Sequence, residues 1–172
     1  MNGEGIEITA AAPPDVPLLL TLIRALAEYE RLSDQVSATE DRLRESLFGP
    51  RPAAEAVIGR LEGEPAGFAL FFQSYSTFLG RPGIYLEDVF VKPEYRGRGL
   101  GAALLRHLAR VAVERQCGRF EWAVLDWNAP AIGFYRKLGA EVLADWRICR
   151  VAGDALARLA DGPAASRAPA VS

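Results

Sequence analysis

The segment VKPEYRGRGLGAALL, residues 91–105, places three glycines and two arginines between a β-branched apolar run and a leucine-rich stretch. Pro93 and Gly97 interrupt regular structure, and after them leucines recur at helical spacing. The segment therefore predicts a strand, a glycine loop and an amphipathic helix in immediate succession.

The glycine loop is placed where it can bind an anion. The start of a helix carries unpaired N–H groups and a partial positive charge, and glycines let a phosphate approach them. A plain glycine-rich connection explains the loop equally well. The loop lacks the Gly-Lys-Ser/Thr ending of an NTPase, and Gly97, Gly99 and Gly101 do not match the dinucleotide pattern G-x-G-x-x-G. What remains is R-x-x-G-x-G at residues 96–101.

The rest of the chain predicts a mixed α/β (α+β) domain. The expected order is β-α-α-β-β-β-α-β-α-β-β, over residues 5–11, 16–32, 37–49, 53–63, 64–77, 84–91, 100–117, 119–127, 128–140 and one or two strands within 140–153. Turns rich in glycine and proline make the first three consecutive strands an antiparallel meander, whereas a helix joins the last of them to a parallel neighbour. We expect a mostly antiparallel sheet flanked by helices, with a βαβ core.

Composition limits the function classes. The 172 residues suffice for one domain, which we place at 5–160, with a disordered tail of alanine, proline and serine at 161–172. Twenty basic against twenty-two acidic residues argue against nucleic-acid binding. Neither a signal peptide nor a membrane span is predicted. Cys117, Cys149 and the single His107 are too few for a zinc site or a histidine triad, so we expect no metal and a cytoplasmic protein.

The loop with its strand, together with NAPAIGFYRKLGA at 128–140, resembles the acetyl-CoA-binding core of the GNAT superfamily of N-acetyltransferases. Within the superfamily, the chain resembles the diamine (spermidine/spermine) acetyltransferases in the segments IYLEDVFVKPEYRGRGLG and AVLDWNAPAIGFYRKLGA. It resembles their thialysine-preferring branch in the segments YSTFLGR and VLDWN. The resemblance covers nearly the whole chain. It implies a GNAT fold, acetyl-CoA as co-substrate and a homodimer.

The resemblance also implies a set of cofactor residues. Loop amides would hold the diphosphate of coenzyme A, and the free edge of the preceding strand would pair with its pantetheine arm and polarise the acetyl carbonyl. The implied residues are Val89, Phe90, Val91, Arg96, Gly97, Arg98, Gly99, Leu100, Gly101, Ala102, Asn128, Ala129, Pro130 and Ala131. A core strand explains Val89 and Val91 as well, and a helix N-cap explains Asn128.

Two residues are expected to move protons. Tyr135 in FYRKLG matches the family's general acid, because a phenol with a pKa near 10 can protonate a departing thiolate whose thiol pKa is near 8.5. Glu87 in YLEDVF can bind the ammonium of the amine or take its proton through a water. Alternatively, Tyr135 is an aromatic core residue and Glu87 is a solvated carboxylate on a strand. Strand alternation turns Asp88 to the opposite face, which makes it the less favoured carboxylate.

The resemblance places the acceptor amine beside Tyr29, Glu30, Glu87, Glu121, Trp122 and Ala123, although a strand core explains Trp122 equally well. Ser76 and Phe78 stand where the polyamine enzymes carry an aspartate and a tryptophan, so we expect a short lysine-like amine such as thialysine rather than a long polyamine. The predicted reaction is direct acetyl transfer in a ternary complex. An antibiotic amine or a protein N-terminus as acceptor, or a silent acetyl-CoA-binding regulator, are the alternatives.

Overall fold

The computed structural model describes residues 5–162. The chain divides into two compact units, Met1–Asn128 and Ala129–Ser172. The described residues form, in order, β1 (Ile6–Ala10), α1 (Val16–Tyr29), α2 (Glu40–Phe48), β2 (Glu55–Leu61), β3 (Glu64–Ser76), β4 (Arg81–Val91), α3 (Leu100–Glu114), β5 (Phe120–Trp122), α4 (Ala129–Lys137) and α5 (Asp154–Asp161). Within residues 5–162 no helix is both long and apolar enough to cross a membrane.

The five strands form one sheet in the order β1-β2-β3-β4-β5. Neighbouring strands among β1 to β4 are antiparallel. Strand β5 follows the crossover through α3 and runs parallel to β4. The mixed, mostly antiparallel sheet and its βαβ core, both predicted from the sequence, are confirmed. The glycine loop lies within this core, between the end of β4 and the start of α3.

Helices cover both faces of the sheet. Ile58, Phe68 and Phe90 are buried in one cluster with leucines of α1 and α2. On the other face, a Cβ built on Gly59 would lie 2.8 Å from Cδ1 of Leu100, so α3 packs closely against β2. Successive strand residues point to opposite faces, which is why neighbours 58 and 59 meet different helices.

Two strand predictions toward the C-terminus are wrong. The strand expected at 119–127 is reduced to Phe120–Trp122, because its ladder with β4 covers only three residue pairs. The one or two strands expected within 140–153 are not formed in the described chain. Trp146 and Ile148 there are 77% and 72% exposed, and an apolar alternation makes a strand only where a neighbouring strand completes its hydrogen bonds.

The second unit is helical. Gly139 has φ +92° and follows α4, and the Ala140 N–H donates to the carbonyl of Tyr135 at 3.1 Å, so a glycine ends this helix. Asp161, predicted to begin the tail, is instead the last residue of α5. The remainder of the predicted tail, residues 163–172, lies outside the described residues.

Candidate active site

The glycine loop has a backbone that only glycine adopts without strain. Gly97 has φ +76° and Gly99 has φ +90°, both in the left-handed region. The first hydrogen bond of α3 runs from the Ala103 N–H to the Gly99 carbonyl at 3.0 Å. The N–H groups of the preceding helix residues therefore remain available at the helix start, where the macrodipole favours an anion.

The space around the loop suits a phosphate group. A Cβ built on Gly97 would meet nothing within 4 Å, and residues 96–99 are exposed. A diphosphate can therefore reach the main-chain donors without displacing a side chain. The residues present fit the diphosphate of coenzyme A, as the sequence predicts.

The two loop arginines are engaged with protein groups. Nε of Arg96 donates to the Val91 carbonyl at 3.0 Å, and its guanidinium carbon lies 4.5 Å from the centre of the Tyr29 ring. The guanidinium of Arg98 forms an ion pair with the carboxylate of Glu62 in the turn between β2 and β3. A phosphate would therefore have to compete with Glu62 for Arg98.

The end of β4 offers an open edge. β5 pairs only with Ile84–Leu86, whereas residues 89–91 are paired with β3. On that side β3 approaches so closely that a Cβ on Gly67 would lie 2.4 Å from the Phe90 carbonyl oxygen. Phe90 contributes its side chain to the core. β5 does not reach the opposite edge of 89–91, and the predicted pairing of that edge with the pantetheine arm stays a prediction.

A β-bulge lies at Glu87. Asp88 is opposite Leu70 and Leu86 is opposite Phe71, so Glu87 has no counterpart on β3. The bulge shifts the alternation, and the register places Asp88 on the same face as Tyr85, which pairs with Phe72. The simple alternation used in the sequence prediction therefore does not extend through this position.

Carboxylates around the bulge raise the pKa of two neighbouring groups, Asp88 and Tyr85. The pKa of Asp88 is raised to about 6, first by burial and then by the charges of Glu87 and Glu30. Burial also raises the pKa of Glu30 at the end of α1. The pKa of Tyr85 is raised by burial and then by Glu87 and Glu121. No local signal in the sequence reveals the bulge, so the raised pKa of Asp88 could not be foreseen.

This carboxylate cluster, which we define as Glu30, Glu87, Asp88 and Glu121, suits a cation. Its members come from three elements: the end of α1, the bulge of β4, and β5. Nε of Arg119 lies 2.7 Å from Oε2 of Glu121 and partly compensates that charge. In the described part of the chain no group of three or more His, Cys, Asp or Glu side chains is arranged to hold a metal ion. Carboxylates gathered in this way attract cations, among them a protonated amine.

The other predicted acceptor residues of the first unit lie near its strands. Tyr29 ends α1 and is 38% exposed. Trp122 is half-buried in β5, where its ring centre is 4.9 Å from that of Phe120, and Ala123 follows exposed. Asn128, the last residue of this unit, is buried, and its N–H donates to the Leu125 carbonyl at 2.9 Å.

The second unit carries the remaining predicted residues on α4. Ala129, Pro130 and Ala131 form its first turn. Tyr135 is half-buried one turn later, with its ring centre 5.4 Å from that of Phe134. The predicted roles of these residues therefore stay predictions.

Comparison with known sequences decides the family. The profile of the acetyltransferase (GNAT) family matches residues 21–140, which include the loop, the bulge and α4. The chain belongs to this family. The expected enzyme class, an acetyltransferase that uses acetyl-CoA and acts on an amine, is thereby confirmed.

Several curated proteins are similar to this chain over most of its length. The chain is 42% identical to the thialysine N-epsilon-acetyltransferase of Bos taurus over 90% of its length and 97% of that protein. It is 36% identical to the L-ornithine N5-acetyltransferase of Arabidopsis thaliana, over 87% of the chain and 85% of that protein. The thialysine N-epsilon-acetyltransferase of Caenorhabditis elegans is 34% identical over 92% of the chain and 99% of that protein.

Solved structures share the fold. An integron cassette protein from the mobile metagenome of V. cholerae superimposes with a TM-score of 0.77 at 26% identity, covering 93% of this chain and all of that one. An aminoglycoside acetyltransferase from a soil metagenome gives a TM-score of 0.72 at 17% identity, covering 86% of this chain and 97% of that one. At 17% identity, the similarity to the aminoglycoside acetyltransferase shows a shared fold only.

Proposed function

We propose that the protein transfers the acetyl group of acetyl-CoA to a primary amine of a small diamine or lysine-like molecule, in a ternary complex and without a covalent enzyme intermediate. The observation that carries the proposal is the carboxylate cluster beside the open end of β4, in a chain 42% identical to a thialysine acetyltransferase. The cluster would attract the ammonium, and the open edge would present the thioester to it.

A short acceptor is favoured over a long polyamine. Ser76 is buried, and its hydroxyl accepts a hydrogen bond from the Leu79 N–H at 3.3 Å within the β3–β4 turn. Phe78 in the same turn is 98% exposed. This turn therefore supplies no anionic group for the second ammonium of a long polyamine, and the carboxylate cluster alone would select the amine.

The loop and the β4 edge would hold the co-substrate. The main chain of 96–101, with Ala102 at the helix start, would bind the diphosphate, and Arg98 would contribute its charge if it left Glu62. Residues 89–91 would pair with the pantetheine arm, and their N–H groups would polarise the acetyl carbonyl. When bound, acetyl-CoA supplies a thioester carbon that accepts a nitrogen lone pair.

The amine must lose a proton before it can attack. An alkylammonium with a pKa of about 10.4 is neutral in roughly one molecule per thousand at pH 7. Glu87 at the bulge would take the proton through a water, and Asp88 beside it would hold the ammonium. The new C–N bond then forms as the C–S bond breaks. The nitrogen gives up two protons to solvent, one before it attacks and one after acetylation, so that the product is a neutral amide.

The departing thiolate needs a proton of its own. We assign this role to Tyr135 from the resemblance of FYRKLG to the family motif. Asn128, with Ala129, Pro130 and Ala131, is assigned to cofactor contact on the same ground. Glu121, Trp122 and Ala123 of the strand before them are assigned to the border of the amine site.

The test is a substrate panel. The protein is incubated with acetyl-CoA and one amine at a time, and the free thiol of coenzyme A is followed; reactions without amine measure background hydrolysis. We expect kcat/KM for thialysine or ornithine to exceed that for spermidine by at least about tenfold, the effect of one missing ionic contact. Turnover only on peptides or aminoglycosides would reassign the acceptor. Tight acetyl-CoA binding without any turnover would indicate a regulator.

We also propose a cytoplasmic homodimer. Cys117 and Cys149 are free thiols, as expected in a reducing compartment. Exposed Tyr75, Phe78 and Leu79 at the β3–β4 turn form an apolar surface of the kind that associates with another chain. Sedimentation equilibrium of the protein at micromolar concentration tests the oligomeric state, and a monomer mass would contradict the proposal.

A further inference from the structure

Arg96 begins the glycine loop, but its side chain is directed at three groups of the protein. Its Nε donates to the Val91 carbonyl at 3.0 Å, at the end of β4. Its guanidinium carbon lies 4.5 Å from the centre of the Tyr29 ring and 5.7 Å from that of Phe90. Among the described residues no carboxylate forms an ion pair with it.

These contacts join two parts of the candidate site that are 67 positions apart in sequence. Phe90 is fixed in the core, so Arg96 lies against a rigid support, whereas Tyr29 ends α1 and is partly exposed. Stacking of a guanidinium on an aromatic ring stabilises the position of both groups. The residue after Tyr29 is Glu30 of the carboxylate cluster, so a displaced Tyr29 would move a cluster member.

We propose that Arg96 is a positioning residue, which transmits the order of the coenzyme-binding loop to Tyr29 and so sets the affinity for the amine. The inference rests on the proposed function. It gives the side chain of Arg96 a role at the amine site, while its main chain stays with the diphosphate. Arginine is required because its planar group combines a fixed Nε donor with a stacking surface, and lysine has neither.

Two substitutions distinguish a positioning role of the Arg96 side chain from direct binding of its positive charge to the coenzyme phosphate. Arg96→Lys keeps the positive charge, and Arg96→Met removes it at similar length. Arg106→Met, at an exposed position of α3, is the matched control. The dissociation constant of coenzyme A is measured by calorimetry, and the amine KM and kcat at saturating acetyl-CoA.

We expect both Arg96 variants to raise the amine KM about tenfold, with kcat and the coenzyme dissociation constant changed less than about threefold. A dissociation constant raised tenfold in Arg96→Met and restored in Arg96→Lys would overturn the inference. So would an amine KM unchanged in both variants.

A double-mutant cycle tests the contact itself. Tyr29→Leu should raise the amine KM, and adding Arg96→Met to it should raise KM by less than about twofold more, since the partner ring is already lost. Independent, multiplicative effects would contradict the coupling. Absence of turnover by the unmodified protein contradicts the proposed function; turnover with an unchanged KM in the variants contradicts only the role of Arg96.

Discussion

Asp88 lies opposite Leu70 in the ladder between β3 and β4, so its cross-strand neighbour is apolar. Burial is the main reason that its pKa rises from 3.8 to about 6, and the charges of Glu87 and Glu30 add to the shift. The folded protein consequently binds a proton between pH 4 and 6 that the unfolded chain has released. This carboxylate therefore lowers the free energy of unfolding as pH rises through that window.

Asp88→Asn is expected to stabilise the protein at pH 7 and to leave its stability unchanged near pH 4. The gain at pH 7 should be about 1–3 kcal/mol, the cost of ionising a carboxyl whose pKa is raised by about two units. Urea unfolding at both pH values measures it. Asp34→Asn, at an exposed position, is the control and should lack the difference. An equal change at both pH values would show that Asp88 is not the group that titrates.

The same ionisation should appear in the activity. An ammonium is held by a charged carboxylate, so kcat/KM for the amine should rise with pH through about 6 as Asp88 loses its proton. In Asp88→Asn this rise of kcat/KM with pH should be absent. Glu87→Gln removes the proposed base and should lower kcat/KM at every pH, but the remaining activity should still rise with pH, and at lower pH than in the unmodified protein, because the charge of Glu87 no longer raises the pKa of Asp88. If kcat/KM still rises through about pH 6 in Asp88→Asn, the titrating group is a residue other than Asp88.

The local parts of the fold could be predicted from the sequence because their signals are local. Proline and glycine after the valine-rich strand marked the boundary between β4 and α3. The helix predicted at 37–49 begins at Glu40, where the Thr39 hydroxyl accepts a hydrogen bond from the Arg42 N–H at 3.3 Å. Loop and cap geometry depends on a few adjacent residues, which is why a glycine loop between a strand and a helix could be predicted from the sequence.

Features that depend on pairing between distant segments could not be predicted. The bulge at Glu87 results from the register of β4 against β3, so alternation along β4 alone does not give the face on which Asp88 lies. The length of β5 depends on how far it follows β4, and only three pairs form. Likewise, the apolar pattern around Trp146 resembles a strand but has no strand partner among the described residues.

Gly97→Ala should weaken coenzyme binding beyond its effect on stability. Alanine at φ +76° costs about 1 kcal/mol, and its methyl group would occupy the open space that a diphosphate needs. We expect the dissociation constant of coenzyme A, measured by calorimetry, to rise at least about tenfold.

Gly80→Ala is the matched control for that substitution. Gly80 also has a positive φ, +61°, and open space around it, but it lies in the β3–β4 turn. It should lose similar stability in urea and bind coenzyme A normally. Equal weakening of binding in both variants would mean that backbone strain, and not occupation of the anion site, explains the loss.

Tyr135→Phe removes one hydroxyl and keeps the ring that contacts Phe134. If the phenol protonates the departing thiolate, kcat at neutral pH should fall by roughly 10²-fold or more, with little change in the urea midpoint. Tyr75→Phe, at an exposed position of β3, removes the same hydroxyl elsewhere and should leave kcat unchanged. A loss of less than about threefold in Tyr135→Phe would leave the ring with a packing role only, since a general acid contributes at least ten times more than that.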